Sequence, residues 1–222
     1  MATVETKPVL YGSWNSSAAW RVRLILAWKN IEYEYRPIDL KNSEDLGNLA
    51  KVNPSKRIPA FITSDGVVLT QSMAILEYIE EMYPEKTCLP ADPLQRAMTR
   101  EICDEIACDI HPIQNTGLLN DICGGDWPKF EAWARSRITK GFDHLEAKLR
   151  EDKEHVLSGK YCIGDCVTMA DFVLVPQFYN AVRYMVDLSP YPIIGSIHHH
   201  LMTDFPELIE TVPERQVDAP AS

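Results

Sequence analysis

One change of pattern divides this chain. Up to about residue 82 strand-like and helix-like segments alternate; from residue 94 onward the periodicity is helical alone, with Pro84, Pro90 and Pro93 between. Proline turns the residue before it away from helix, so residues 84–93 read as a linker. A chain that alternates strand with helix and then turns all-helical is expected to form two packed domains. Its 222 residues are enough for two modest cores. The expected division is 1–83, the linker 84–93, and 94–222.

In the first part, residues 9–11 read as a strand, and Val22, Leu24, Ile25 and Trp28 give an apolar helical face over 18–28. IEYEYRP at 31–37 alternates as a second strand does. Residues 43–51 read as a short polar helix or turn. Two short strands follow at 59–63 and 67–69, and Ser64-Asp65-Gly66 between them predicts an antiparallel hairpin. Gln71-Ser72 then opens a helix running to about Met82. The order βαβ, helix, ββα calls for parallel strands and a right-handed crossover at its start, and it resembles a thioredoxin-like domain. Helical patterns follow at 94–120, 127–151, 168–184, 190–202 and 205–210. The fold class is therefore α/β plus all-α, a βαβαββα domain followed by a helical one. Thr168 and Asp171, ahead of a buried-looking FVLV run, have the spacing of a capping box, with Asp in place of Glu or Gln.

The chain carries 22 basic and 32 acidic side chains, a net charge of −10, which argues against nucleic acid or an anionic membrane as main partner. No apolar run reaches membrane-spanning length, and the polar start MATVETK lacks the apolar core of a signal peptide. The C-terminal APAS is not a peroxisomal address. A cytoplasmic location is the expectation. The six cysteines form no C-x-x-C pair and have no histidine at zinc-ligand spacing, so they are expected to be reduced, mostly buried thiols with no metal site. His198-His199-His200 point in three directions if helical and cannot grip one ion; a solvated, partly positive helix face is expected.

The chemistry concentrates at SSAAWRVR, residues 16–23, after the first strand. Two hydroxyls stand at the start of an apolar helix. The free N–H groups and dipole of a helix start favour a negative charge. A serine hydroxyl there can donate to a thiolate or oxyanion, and can equally be an ordinary N-cap.

Taken together, SSxxWRVR at 16–23, NP at 53–54, IP at 58–59 and QSxAIxEY at 71–78 resemble the zeta class of cytosolic glutathione transferases, whose namesake activity is maleylacetoacetate isomerisation. LPxDP at 89–93, PxQN at 112–115, GDxVTMAD at 164–171 and DLSPYP at 187–192 extend the resemblance over nearly the whole chain. It implies glutathione as cofactor, a homodimer, and a small electrophilic or dicarboxylate substrate. Ser16, then Ser17, is implied as the donor that stabilises the glutathione thiolate. Ile58 and Pro59, where the fold carries a cis-proline, are implied to pair with the cysteinyl part of glutathione. Gln71 and Ser72 are implied to hold its γ-glutamyl end, and His111 and Asn115 to complete the cofactor site. The thiolate would add to a conjugated cis double bond, allow rotation, and leave. The resemblance also implies glutathione transfer onto α-halo acids. Arg183 matches a family arginine that meets a substrate carboxylate. Arg21 lies beside the thiol site and can serve the substrate; Arg21 and Arg23 can equally be structural ion-pair partners.

Three positions depart from the family pattern. Asn15 and Ala18 stand where the family usually has arginine and cysteine around its two serines, and His111 stands where it has glutamine. Loss of the cation should weaken binding of an anionic substrate more than activation of glutathione. A transferase acting on other, halogenated electrophiles and a non-enzymatic glutathione-binding protein are the alternatives.

Overall fold

The computed structural model describes residues 6–151 and 159–221. These fall into two compact units: one runs to Lys86 and takes in the segment from Phe205, and the other is Thr87–Asp204.

In the first unit a four-stranded sheet has the order β2-β1-β3-β4, with β1 Val9–Gly12, β2 Glu34–Pro37, β3 Ala60–Ile62 and β4 Val68–Thr70. β1 and β2 are parallel, with Val9 opposite Glu34. β3 is antiparallel to both β1 and β4. The βαβ start and the hairpin are thus as the sequence predicts. β2 is shorter than expected, because residues 29–31 complete the turn out of α1: Asn30 has φ 54° and the Ile31 amide bonds the Leu26 carbonyl at 2.8 Å. Strand side chains alternate faces. Val9, Tyr11 and Ala60 pack with Ile38 and with Leu49 of α2 (Ser43–Val52). On the other face Phe61 lies 6.5 Å from Tyr78 of α3 (Ser72–Met82).

Helix α1, Ser17–Trp28, was expected to bury one face. It is buried nearly all round: Ala19, Val22, Leu24, Ile25 and Leu26 are fully enclosed, and so are Arg21 and Arg23. The reason lies in the C-terminal segment, which the sequence pattern groups with the helical half and the structure packs on the first unit. Phe205 meets Trp28 edge-on at 4.9 Å, and Trp20 Nε1 donates to Thr211 Oγ1 at 2.8 Å. At the far end of α1, Lys29 is buried in an ion pair with Glu80 of α3 at 2.7 Å and donates to the Tyr83 carbonyl at 2.6 Å.

The second unit is helical among its described residues, apart from an isolated bridge between Ile163 and Cys166. α4 (Pro93–Asp104) starts on an Asp92 cap with Pro93 as its first residue, so the last linker proline is already helical. The single helix expected over 94–120 is broken. α4 widens into a π-helical stretch at Glu105–Ile110, then gives short turns and α5 (Leu119–Cys123). Pro112 has no N–H to continue the ladder, which accounts for the break. Ile110 lies against Gly141 so closely that a Cβ there would come within 2.3 Å of it. α6 (Trp127–Arg150), α7 (Met169–Arg183) and α8 (Pro192–Asp204) complete the unit. Asp171 accepts both the amide (2.7 Å) and the hydroxyl (3.0 Å) of Thr168, and the Cys162 amide at 2.8 Å, so this carboxylate closes the start of α7 as expected. The Glu146 carboxylate on α6 takes the Ile193 and Ile194 amides at 3.0 Å and does the same for α8.

Two expectations fail here. His198 is not on a solvated, positive face: it stacks on Phe178 at 4.2 Å, and burial pushes its pKa down to about 4, which keeps it neutral. The thiols are not mostly buried: Cys88, Cys103 and Cys162 are enclosed, Cys108 and Cys166 are exposed, and Cys123 is between.

Candidate active site

Ser16 is the N-cap of α1. It has extended backbone angles, and its Oγ accepts the Ala19 amide at 3.2 Å. A hydroxyl that accepts from the helix still has its own proton to give. Ser17, the first helical residue, is buried. No acidic side chain occupies the first turn of α1 or of α3, whereas α2 carries Glu44 and Asp45 in its own. The helix starts at Ser16 and Ser72 therefore keep their positive ends for an outside anion.

Gln71 precedes α3 with φ 70° and ψ 115°, a conformation that side-chain-bearing residues adopt rarely. It is exposed, while Ser72 is buried. The Ser72 hydroxyl accepts from Arg21 Nη1 at 3.2 Å. Arg21 is 2% exposed, so it is not an open cation for a substrate. Its guanidinium is built into the contact between α1 and α3, where its charge adds to the helix start behind Ser72. Both arginines hydrogen-bond inside the fold, Arg21 to the Ser72 hydroxyl and Arg23 to backbone carbonyls. Arg23 donates to the carbonyls of Thr211 (3.0 Å), Ser13 (3.3 Å) and Trp14 (3.1 Å).

The Ile58–Pro59 peptide is cis. The strand register begins at Ala60, which pairs with Tyr11 and Thr70, so the amide and carbonyl of Ile58 lie ahead of the ladder at the open end of β3. Buried Asn53 shapes the approach: its Nδ2 donates to the Arg57 carbonyl at 2.7 Å, and its Oδ1 accepts the Ser55 amide at 3.1 Å.

In the second unit His111 is half-buried at the end of the π-helical stretch, its amide bonded to the Ile106 carbonyl at 2.9 Å. Exposed Asn115 caps the next turn by accepting the Gly117 amide at 2.8 Å. Between them, buried Gln114 exchanges two amide hydrogen bonds with Gln177 of α7, at 3.0 and 3.2 Å. Arg183 is the last residue of α7 and is exposed, 5.8 Å from the Tyr184 ring centroid.

In the first unit Ser16, Ser17 and Arg21 lie in the first turns of α1, and a hydrogen bond joins Arg21 to Ser72, next to Gln71. Asn53, which holds the turn before Ile58, Thr211, which bonds Trp20 and Arg23, and Asp218, which accepts the Trp14 amide, are not candidates in the sequence reading. An Asn-Pro turn signal marks Asn53. Nothing local marks Thr211 or Asp218, whose partners lie about two hundred residues away along the chain.

Residues 8–81 match the glutathione S-transferase N-terminal domain, which sets the first unit in the glutathione transferase class. Over 220 residues the chain is 44% identical to the maleylacetoacetate isomerase of Dictyostelium discoideum, covering 97% of each chain. A bacterial maleylpyruvate isomerase, described as a zeta-class glutathione transferase, superposes with a TM-score of 0.87 at 35% identity, over 96% of this chain and 100% of that one. Maleylacetoacetate isomerase from Anaeromyxobacter dehalogenans 2CP-1, with dicarboxyethyl glutathione and citrate bound in its active site, superposes with a TM-score of 0.84 at 35% identity, over 97% and 98%. The chain belongs to the maleylacetoacetate isomerase family of zeta-class glutathione transferases.

Two helix starts with no acidic residue in the first turn, a buried guanidinium behind one of them and a cis-proline edge suit a tripeptide with carboxylates and a thiol. The residues present therefore fit glutathione.

Proposed function

We propose that this chain catalyses the glutathione-dependent cis–trans isomerisation of maleylacetoacetate to fumarylacetoacetate, a step of tyrosine and phenylalanine breakdown. The observation that carries this reading is Ser16, a hydroxyl at a helix start with no acidic residue in the first turn. When bound, glutathione supplies a thiolate whose reversible addition to the conjugated cis double bond permits rotation about that bond. A free thiol is mostly protonated at neutral pH. The Ser16 hydroxyl and the first amides of α1 stabilise the anion and lower that pKa, with Ser17 as the second donor. Ile58, at the Pro59 edge, takes the cysteinyl backbone as an added strand would. Gln71 and Ser72 hold the γ-glutamyl end, with Arg21 behind Ser72. His111 and Asn115 remain candidates for the rest of the cofactor site.

A dianionic substrate needs a cation. Arg183 is exposed and is proposed to meet a substrate carboxylate. Arg183→Ala should raise KM for a dicarboxylate several-fold and leave a neutral electrophile unaffected; an equal loss on both removes that role. Transfer of glutathione onto α-halo acids, a homodimer and a cytoplasmic location belong to the same proposal. No helix among the described residues is long and apolar enough to cross a membrane.

The test is isomerisation of maleylacetone by the purified protein, with and without glutathione. Glutathione-dependent turnover supports the isomerase and shows that the family arginine and cysteine, replaced here by Asn15 and Ala18, are dispensable. Glutathione binding without turnover moves the substrate to halogenated electrophiles.

A further inference from the structure

The segment before Ser16 is held by groups remote in sequence. The Trp14 amide donates to Asp218 Oδ2 at 2.8 Å, over 204 positions of chain. The Ser13 and Trp14 carbonyls accept from Arg23, whose Nε is anchored on the Thr211 carbonyl. The Ser16 amide bonds back to the Ser13 carbonyl at 3.0 Å. Tyr35 closes the group. Its hydroxyl donates to Asp218 Oδ1 at 3.3 Å, and its ring is so close to the end of β1 that a Cβ on Gly12 would stand 3.1 Å from it. Burial lowers the pKa of Arg23, and Tyr35, Tyr33 and Asp218 oppose that shift. The two Asp218 oxygens thus hold one partner each, Trp14 and Tyr35.

We propose that Asp218 is a positioning residue for Ser16: with Thr211 it clamps residues 13–15 from the C-terminal segment and so fixes where the Ser16 hydroxyl meets the glutathione sulfur. The inference rests on the reading of Ser16 as thiolate donor. Displacement of a reacting group by about 1 Å can cost about a hundred-fold in rate, so a loop held mostly from outside has its accuracy set by those outside groups. Asp218 touches neither sulfur nor substrate in this scheme. It acts through the Trp14 amide, and its loss should loosen the Ser16 hydroxyl before it disturbs the two helix starts that bind glutathione.

The experiment uses the full chain with glutathione as probe. The pKa of the bound thiol is read by thiolate absorbance, affinity by calorimetry, and the pH profile of kcat/KM with maleylacetone. In Asp218→Ala the bound thiol pKa should rise by about one unit, meaning about ten-fold less thiolate at neutral pH. Glutathione affinity should stay within about three-fold, and activity should recover as pH rises. A merely structural loss would not recover with pH. Asp218→Asn carries the test where the alanine variant does not fold. It keeps an oxygen for Trp14 but loses the charge that makes such bonds roughly twice as strong, so about half the rise is expected. A wild-type thiol pKa in either folded variant overturns the clamp. A wild-type protein that binds glutathione without lowering its thiol pKa overturns the reading of Ser16 itself, and the clamp with it.

Discussion

Arg21 Nη1 donates to Ser72 Oγ across 3.2 Å, inside the contact between α1 and α3, with the arginine almost wholly enclosed. A buried guanidinium behind a helix start puts two positive fields at one spot. Each favours an anion. A carboxylate bound at Ser72 should therefore stabilise the unit by more than its own contacts. Arg21→Met, close in volume and uncharged, removes one of these two fields. It should lower glutathione affinity about ten-fold and shrink the rise in melting temperature that saturating glutathione gives. Thermal unfolding with and without glutathione checks this. An unchanged rise in the variant would separate Arg21 from the binding site.

Gln71 holds φ 70° immediately ahead of Ser72. Such backbone costs of order 1–3 kcal/mol in a residue with a Cβ and is kept where the surroundings require it. Gln71→Gly should relieve the strain and stabilise the protein by about 1 kcal/mol, while glutathione binds more weakly. Gln71→Ala keeps the strain and loses the amide, so it should weaken binding with no gain in stability. Urea unfolding and calorimetry on the pair distinguish backbone from side chain. A glycine variant no more stable than the parent would show that the conformation costs nothing here.

Ser16 has two duties that one substitution separates in size. As the cap of α1 it satisfies the Ala19 amide, and Ser16→Ala should cost about 1 kcal/mol of stability. As thiolate donor it should cost far more: a fall in kcat of about a hundred-fold or more, with glutathione affinity nearly kept. Ser16→Thr retains the hydroxyl and should recover most of both. Steady-state kinetics of maleylacetone isomerisation decide it, since comparable turnover in the alanine variant would leave Ser16 as a cap only.

Much of this was legible because it is local. The tight-turn residues Ser64-Asp65-Gly66 specify the hairpin, and the period-two and helical runs up to residue 82 specify the βαβ start. Thr168 and Asp171 specify a helix start within four residues. The rest was hidden because distant chain decides it. Arg21 reads as a cation for the substrate, or with Arg23 as an ion-pair partner, yet Arg21 is enclosed against Ser72 of α3 and Arg23 reaches the Thr211 carbonyl of the C-terminal segment. The 94–120 pattern keeps helical spacing through Pro112, where the missing amide overrides it. The role of Asp218 depends on a fold that returns residue 218 to residue 14.

His198 shows how tertiary packing reverses a reading based on composition, and it makes a prediction about acid stability. Its ring stacks on Phe178 at 4.2 Å, and burial pushes its pKa down to about 4 from an ordinary value near 6.5. Above pH 6.5 the ring is neutral whether the protein is folded or unfolded, and the site costs nothing. Between pH 6.5 and 4 the unfolded chain takes up a proton that the folded chain refuses, so stability falls as pH falls through that window, by about 2–3 kcal/mol in all. His198→Phe keeps the stack and removes the titration. Its unfolding free energy, from urea titrations at pH 7, 5.5 and 4.5, should fall less steeply with acid than that of the parent. Parallel pH profiles would mean that the imidazole is protonated in place and that the stack tolerates the charge.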